Sequence, residues 1–200
     1  MSDQISRRTF ATMAASLAFC AVTGRAWGQA EPQRSGPKES PFERDYPAPG
    51  FNPSWKKQQI NRALVQDFII YAHSDLDMVK KLLDKEPGLI NGMIDWGGGD
   101  WETALGGASH MGRRDIVEFL LEKGARIDIF CATMMGQFDA VKSFLTLQPK
   151  LIDSRGPHGF TLHFHAQLAG KDSKKMLDYL QSIKKIEIKP NPFVRNPPPL

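Results

Sequence analysis

Histidine carries most of the chemistry open to this chain, at His73, His110, His158, His163 and His165. The last three fall within eight residues. His163 and His165 are two apart, and on a helix that spacing turns two side chains about 200° from each other. They make a poor chelating pair, although His158, in the preceding turn, could approach one of them. Hydrogen bonding across the loop is the role this spacing supports, and no metal centre or cofactor is expected. The two cysteines, Cys20 and Cys131, form no C-x-x-C unit. There is no G-x-S-x-G, H-E-x-x-H or G-x-G-x-x-G context. The carboxylates are spread out, and Glu118 and Glu122, one turn apart beside Lys123, read as a solvated helix face. No catalytic residue is assigned, and the chain is expected not to be an enzyme.

One loop stands out. Asp95-Trp96-Gly97-Gly98-Gly99-Asp100-Trp101-Glu102 sets three glycines between two tryptophans. It is no phosphate loop, since no Lys-Ser/Thr follows the glycines. Tryptophan brings a large contact area with few rotamers and is common at interface hot spots. Two arrangements fit. In one, at least one tryptophan faces a partner, with Asp95, Asp100 and Glu102 as an acidic rim. In the other, the tryptophans fold back on the neighbouring helices and the glycines merely allow the turn.

These residues must be positioned by elements drawn from 200 residues, of which 41% are hydrophobic and 24% charged. That composition suits one soluble domain. A net charge of +4 is far below the basic density of a nucleic-acid binder. The first thirty residues read as an address. Ser6-Arg7-Arg8-Thr9-Phe10 precedes an uncharged stretch over residues 9–24, and Gly28-Gln29-Ala30 offers a small-residue cleavage site. The paired arginines resemble a twin-arginine export signal, which implies a periplasmic destination. The uncharged stretch would span about 24 Å as a helix, short of the ~30 Å needed for an anchor, so no stable membrane insertion is expected after cleavage. Losing residues 1–30 leaves 170 of the 200 residues, removes three arginines and one aspartate, lowers the net charge from +4 to +2, and leaves Cys131 as the sole cysteine. Eleven of the fourteen prolines lie at the two ends, so residues 31–53 and 190–200 read as extended proline-rich segments.

Residues 54–189, between these ends, carry helical apolar spacing that repeats. Met78-Val79-Lys80-Lys81-Leu82-Leu83 returns as Ile116-Val117-Glu118-Phe119-Leu120-Leu121, as Ala140-Val141-Lys142-Ser143-Phe144-Leu145, and more weakly as Met176-Leu177-Asp178-Tyr179-Leu180. The starts are 38, 24 and 36 residues apart, close on average to a period of 33. Ser74, Gly112 and Gly136 each precede a repeated helix by four residues and fit a tight turn between two short helices. Each helix pair is too small to bury its own apolar stripe, so the pairs must stack, burying Leu82, Leu83, Leu120, Leu121, Phe144 and Leu145. The basic end at Lys171, Lys174, Lys175, Lys184, Lys185 and Lys189 suits the polar cap of a last repeat.

The second unit carries Thr103-Ala104-Leu105-Gly106-Gly107-Ala108, then Gly112, Ile116-Val117, Leu120-Leu121 and Gly124-Ala125. Here the sequence resembles the ankyrin-repeat family over roughly residues 54–182: Thr103, Leu105 and Ala108 match T-P-L-H-x-A, while Ala104 and Gly106 replace its proline and histidine. The resemblance implies an all-α fold, an ankyrin-repeat solenoid of about four helix-pair repeats with degenerate outer units. It also implies a protein-interaction module that binds through loop fingers and first helices. The partner-contact residues expected on that basis are Trp96, Asp100, Trp101, His110 and His158. A small-ligand or metal-binding periplasmic protein is the alternative. Spacing is irregular at the fingers: the interval of 38 makes the first one long, and the interval of 24 nearly removes the second, because Asp128 runs straight into Ile129-Phe130-Cys131.

Overall fold

The computed structural model describes residues 38–51 and 53–193; the export signal expected over residues 1–30 lies outside them. The described residues divide into two units, 38–43 and the compact unit that begins at Arg44, and no helix or strand forms among them before position 62. Eight helices and one hairpin follow: α1 (Arg62–Ala72), α2 (Leu76–Lys85), β1 (Met93–Asp95), β2 (Trp101–Thr103), α3 (Ala104–His110), α4 (Arg114–Glu122), α5 (Ile129–Met134), α6 (Phe138–Leu147), α7 (Leu162–Ala166) and α8 (Ser173–Ile183). The described chain is therefore mostly helical, with two three-residue strands in the long finger.

Short polar side chains start these helices. Asp75, Thr103, Asp128 and Thr161 each accept a hydrogen bond from the backbone N–H three residues on, supplying a partner that the first turn lacks. Pro87 and Pro149 cannot continue α2 and α6 and instead open 3₁₀ turns, Pro87–Asn91 and Pro149–Asp153. Gly112 and Gly136 turn the chain between the helices of a pair, both with positive φ.

Helices pair as α1–α2, α3–α4, α5–α6 and α7–α8, and the first helices pack in order, α1 on α3, α3 on α5, α5 on α7. Val79, Leu83, Ile116, Val117, Leu120, Val141, Leu145, Met176 and Leu180 are buried. Leu82, Leu121 and Phe144, expected in the core, flank it half-buried, because a helix between solvent and its neighbours buries only one stripe. Cys131 is fully buried in α5, and burial raises its thiol pKa to about 11, so it behaves as a small apolar residue.

The chain does not leave the body at residue 190. After α8 it returns along α7. Gln167 Nε2 donates to Lys189 O at 3.0 Å, Asn191 N donates to Gln167 Oε1 at 3.0 Å, and Asn191 Nδ2 donates to Phe164 O at 3.2 Å. Asn191 is buried, and the Phe193 ring sits among Phe160, Phe164 and His110. The first residues of the proline-rich end are thus part of the packed structure.

Candidate functional site

The hairpin is a device for sorting side chains. Met93 pairs with Thr103, Ile94 with Glu102 and Asp95 with Trp101. Alternation along a strand then places Ile94 and Glu102 on the inner face and Met93 and Trp101 on the outer one. Gly97, Gly98 and Gly99 all take positive φ, which a side chain would resist, and Asp95 Oδ1 fastens the turn by accepting from Gly97 N and Gly99 N.

Glu102 is consequently 1% exposed. One of the two arrangements open to this loop put it on an acidic rim; strand alternation instead points it beneath the hairpin. Trp96 Nε1 donates to its Oε2 at 2.6 Å. His110, at the end of α3 and 2% exposed, has Nδ1 3.2 Å from Glu102 Oε1. His73, capping α1, has Nε2 3.6 Å from Oε2. His158 Nε2 lies 3.6 Å from Oε1. Three imidazoles and one carboxylate therefore converge, one ligand-capable atom from each, all within 4.8 Å of one another.

A second ring of contacts orients the cluster. His73 Nδ1–H donates to Ile69 O at 2.8 Å, leaving Nε2 to face Glu102. Asp100 accepts from both the backbone N–H and Nδ1 of His158, at 2.8 and 2.9 Å, so the His158 Nε2 turns inward. Those two bonds also hold His158 at φ 58°, a left-handed conformation that costs a non-glycine residue on the order of 1–2 kcal/mol. Burial lowers the His110 pKa against the opposing pull of Glu102, favouring the neutral ring with a free lone pair. Two buried atoms here, Glu102 Oε1 and His110 Nδ1, have no hydrogen-bond partner.

Two irregularities of the repeat make the cluster possible. A Cβ at residue 107 would stand 2.7 Å from the His73 ring, so Gly107 lets α1 bring that ring against α3. With almost no second finger, the 3₁₀ turn Pro157–Gly159 crosses directly to the first. Pro157 packs 3.4 Å from where a Gly106 Cβ would be, and His158 reaches Asp100, 58 residues earlier.

Of the expected contact residues, Trp96, Asp100, His110 and His158 are drawn together, as a largely enclosed polar cluster rather than a free surface. Trp101 stands apart, 55% exposed on the outer face. His158 does not approach its sequence neighbours: His163 Nε2 donates to Lys184 O and His165 Nδ1 to Thr161 O. His73 and Glu102 were missed as site residues. A signal existed for one of them, since His73 and His110 are 37 residues apart, near the first repeat interval of 38, at the ends of successive first helices.

Outside the hairpin, Met93, Trp101, Asp128, Phe130, Arg155 and Pro157 line a depression of about 270 Å³. No helix among the described residues is long and apolar enough to cross a membrane. No match was found among curated proteins or among solved structures. Residues 100–132, from the tip of the hairpin through α3 and α4 into α5, match the family model for the ankyrin repeat, which supports the ankyrin-repeat family and with it a protein-interaction module.

Proposed function

We propose that this protein is an exported, non-enzymatic interaction module that stacks about four ankyrin-type repeats and binds a protein partner in the periplasm through its first finger. The observation that carries the reading is the outer face of the hairpin. Trp101 and Met93, 55% and 51% exposed, share the outer face of a finger whose inner face is fastened to the body. A rigid, exposed tryptophan beside a shallow depression has the character of an interface anchor. Arg155 and Asp128 supply a polar edge to that depression. Export rests on the paired arginines Arg7 and Arg8, the uncharged stretch that follows and the small residues before Glu31.

A photo-crosslinking side chain at position 101 of the full chain, expressed in its native envelope, tests this reading. One discrete periplasmic protein should be captured, and the double substitution Trp101→Ala, Met93→Ala should weaken its binding at least tenfold with folding intact, as expected when an interface anchor is removed. Undiminished binding by the double variant would remove the finger from the interface.

A further inference from the structure

The cluster beneath the hairpin goes beyond partner binding. We infer that His73, Glu102, His110 and His158 form a site for a divalent first-row transition-metal ion, which clasps the first and third fingers together.

The donor set is the first ground. Three imidazole nitrogens and one carboxylate oxygen suit zinc and its neighbours in the series. With bonds of about 2.0–2.2 Å, tetrahedral donors stand roughly 3.4 Å apart. Glu102 Oε1 lies 3.2 Å from His110 Nδ1 and 3.6 Å from His158 Nε2, His73 Nε2 lies 3.6 Å from the other oxygen, Oε2, and with one ligand atom from each residue no pair of the four exceeds 4.8 Å. Small side-chain movements would bring all four into one coordination sphere.

The second ground is the outer shell. Metal-binding histidines usually give their other N–H to a carboxylate or a backbone carbonyl, which sets the tautomer and aims the ligand nitrogen. His158 does so to Asp100 and His73 to Ile69 O. Trp96 holds one oxygen of Glu102 and leaves the other free. The third ground is the pair of buried atoms without partners. Glu102 Oε1 and His110 Nδ1 lie 3.2 Å apart, in ion-pair contact, yet neither makes a hydrogen bond. Leaving a buried polar atom unpaired costs on the order of 1–3 kcal/mol, and a cation between them would satisfy both at once. A shell of Phe160 and Phe193 beside His110 limits water on that side, while His158, exposed in its turn, leaves a way in.

Four protein ligands match the closed coordination of a structural site. The ligands come from α1, β2, α3 and the turn before α7, so an ion would tie together parts of the first, second and fourth helix pairs.

Zinc and cobalt, added to the full chain after chelator treatment, test the assignment. One equivalent of zinc should bind by calorimetry, cobalt should give the visible bands of a nitrogen–oxygen site, and tryptic cleavage after Arg155 should slow when zinc is present. Glu102→Gln and His158→Ala should each lower zinc affinity at least tenfold, while His163→Ala should leave it unchanged. His158 is exposed, so its replacement cannot collapse the core and decides the matter even if Glu102→Gln unfolds. Folded wild-type chain that takes up neither metal, or uptake undiminished in His158→Ala, would overturn the site.

Discussion

His165 illustrates how one side chain can set a solution property. It is fully buried in α7, its Nδ1–H donates to Thr161 O, and its Nε2 has no partner. Burial, with a smaller push from His110, lowers its pKa to about 4. The unfolded chain protonates this ring near pH 6.5, the folded one near pH 4. Above pH 6.5 both states hold the neutral ring and the native state carries no penalty. Between 6.5 and 4 only the unfolded chain gains the proton, so stability falls as pH falls, by at most about 3 kcal/mol. Urea midpoints measured across that window should decline with acid, and His165→Phe should flatten the decline. An equal slope in the variant would assign the acid sensitivity elsewhere.

At the scale of elements, caps and spacing act together. Asp128 ends the nearly vanished second finger and at once starts α5, accepting from Cys131 N at 2.7 Å. Replacement by Ala should cost about 1 kcal/mol by loss of the cap, whereas Asp128→Asn, which keeps an acceptor, should cost much less. Chemical denaturation of the two variants separates these outcomes. The same brevity brings the Pro157–Gly159 turn within reach of the hairpin. A full second finger would stand between them. The departure from regular spacing, together with glycines at positions 106 and 107, is thus what assembles the polar cluster.

For the whole molecule the question is whether the pairs unfold separately. Repeat arrays owe their stability to neighbour interfaces and can lose cooperativity. Here there are also non-neighbour ties: His158 to Asp100 spans 58 residues, α3 touches α7, and the returning chain places Phe193 against His110. Leu120 in the second pair and Leu180 in the fourth, both fully buried, lie in different apolar clusters. Either one replaced by Ala should cost about 2–5 kcal/mol. Both should move the same single transition, with tryptophan fluorescence and far-ultraviolet circular dichroism coincident. Two separated transitions in Leu180→Ala would mean that the cross-finger contacts do not couple the ends.

The second helix of each pair was legible in the sequence because it rests on local physics: a repeated apolar stripe at helical spacing, with prolines and glycines that stop or turn the chain, whereas the first helices were expected only from the resemblance and their polar caps were not read. The first finger was legible as a loop, since three glycines between tryptophans admit little else. Its split into an inward Glu102 and an outward Trp101 needed the strand register, because six residues are too few to declare alternation. The cluster was the least visible feature. Its members are separated by as much as 85 residues, from His73 to His158, and no short motif joins them. Local sequence determines the repeated apolar stripes and the prolines and glycines at which the chain stops or turns. Stacking decided which histidines meet, because their distance depends on how the pairs pack and on a finger that is missing.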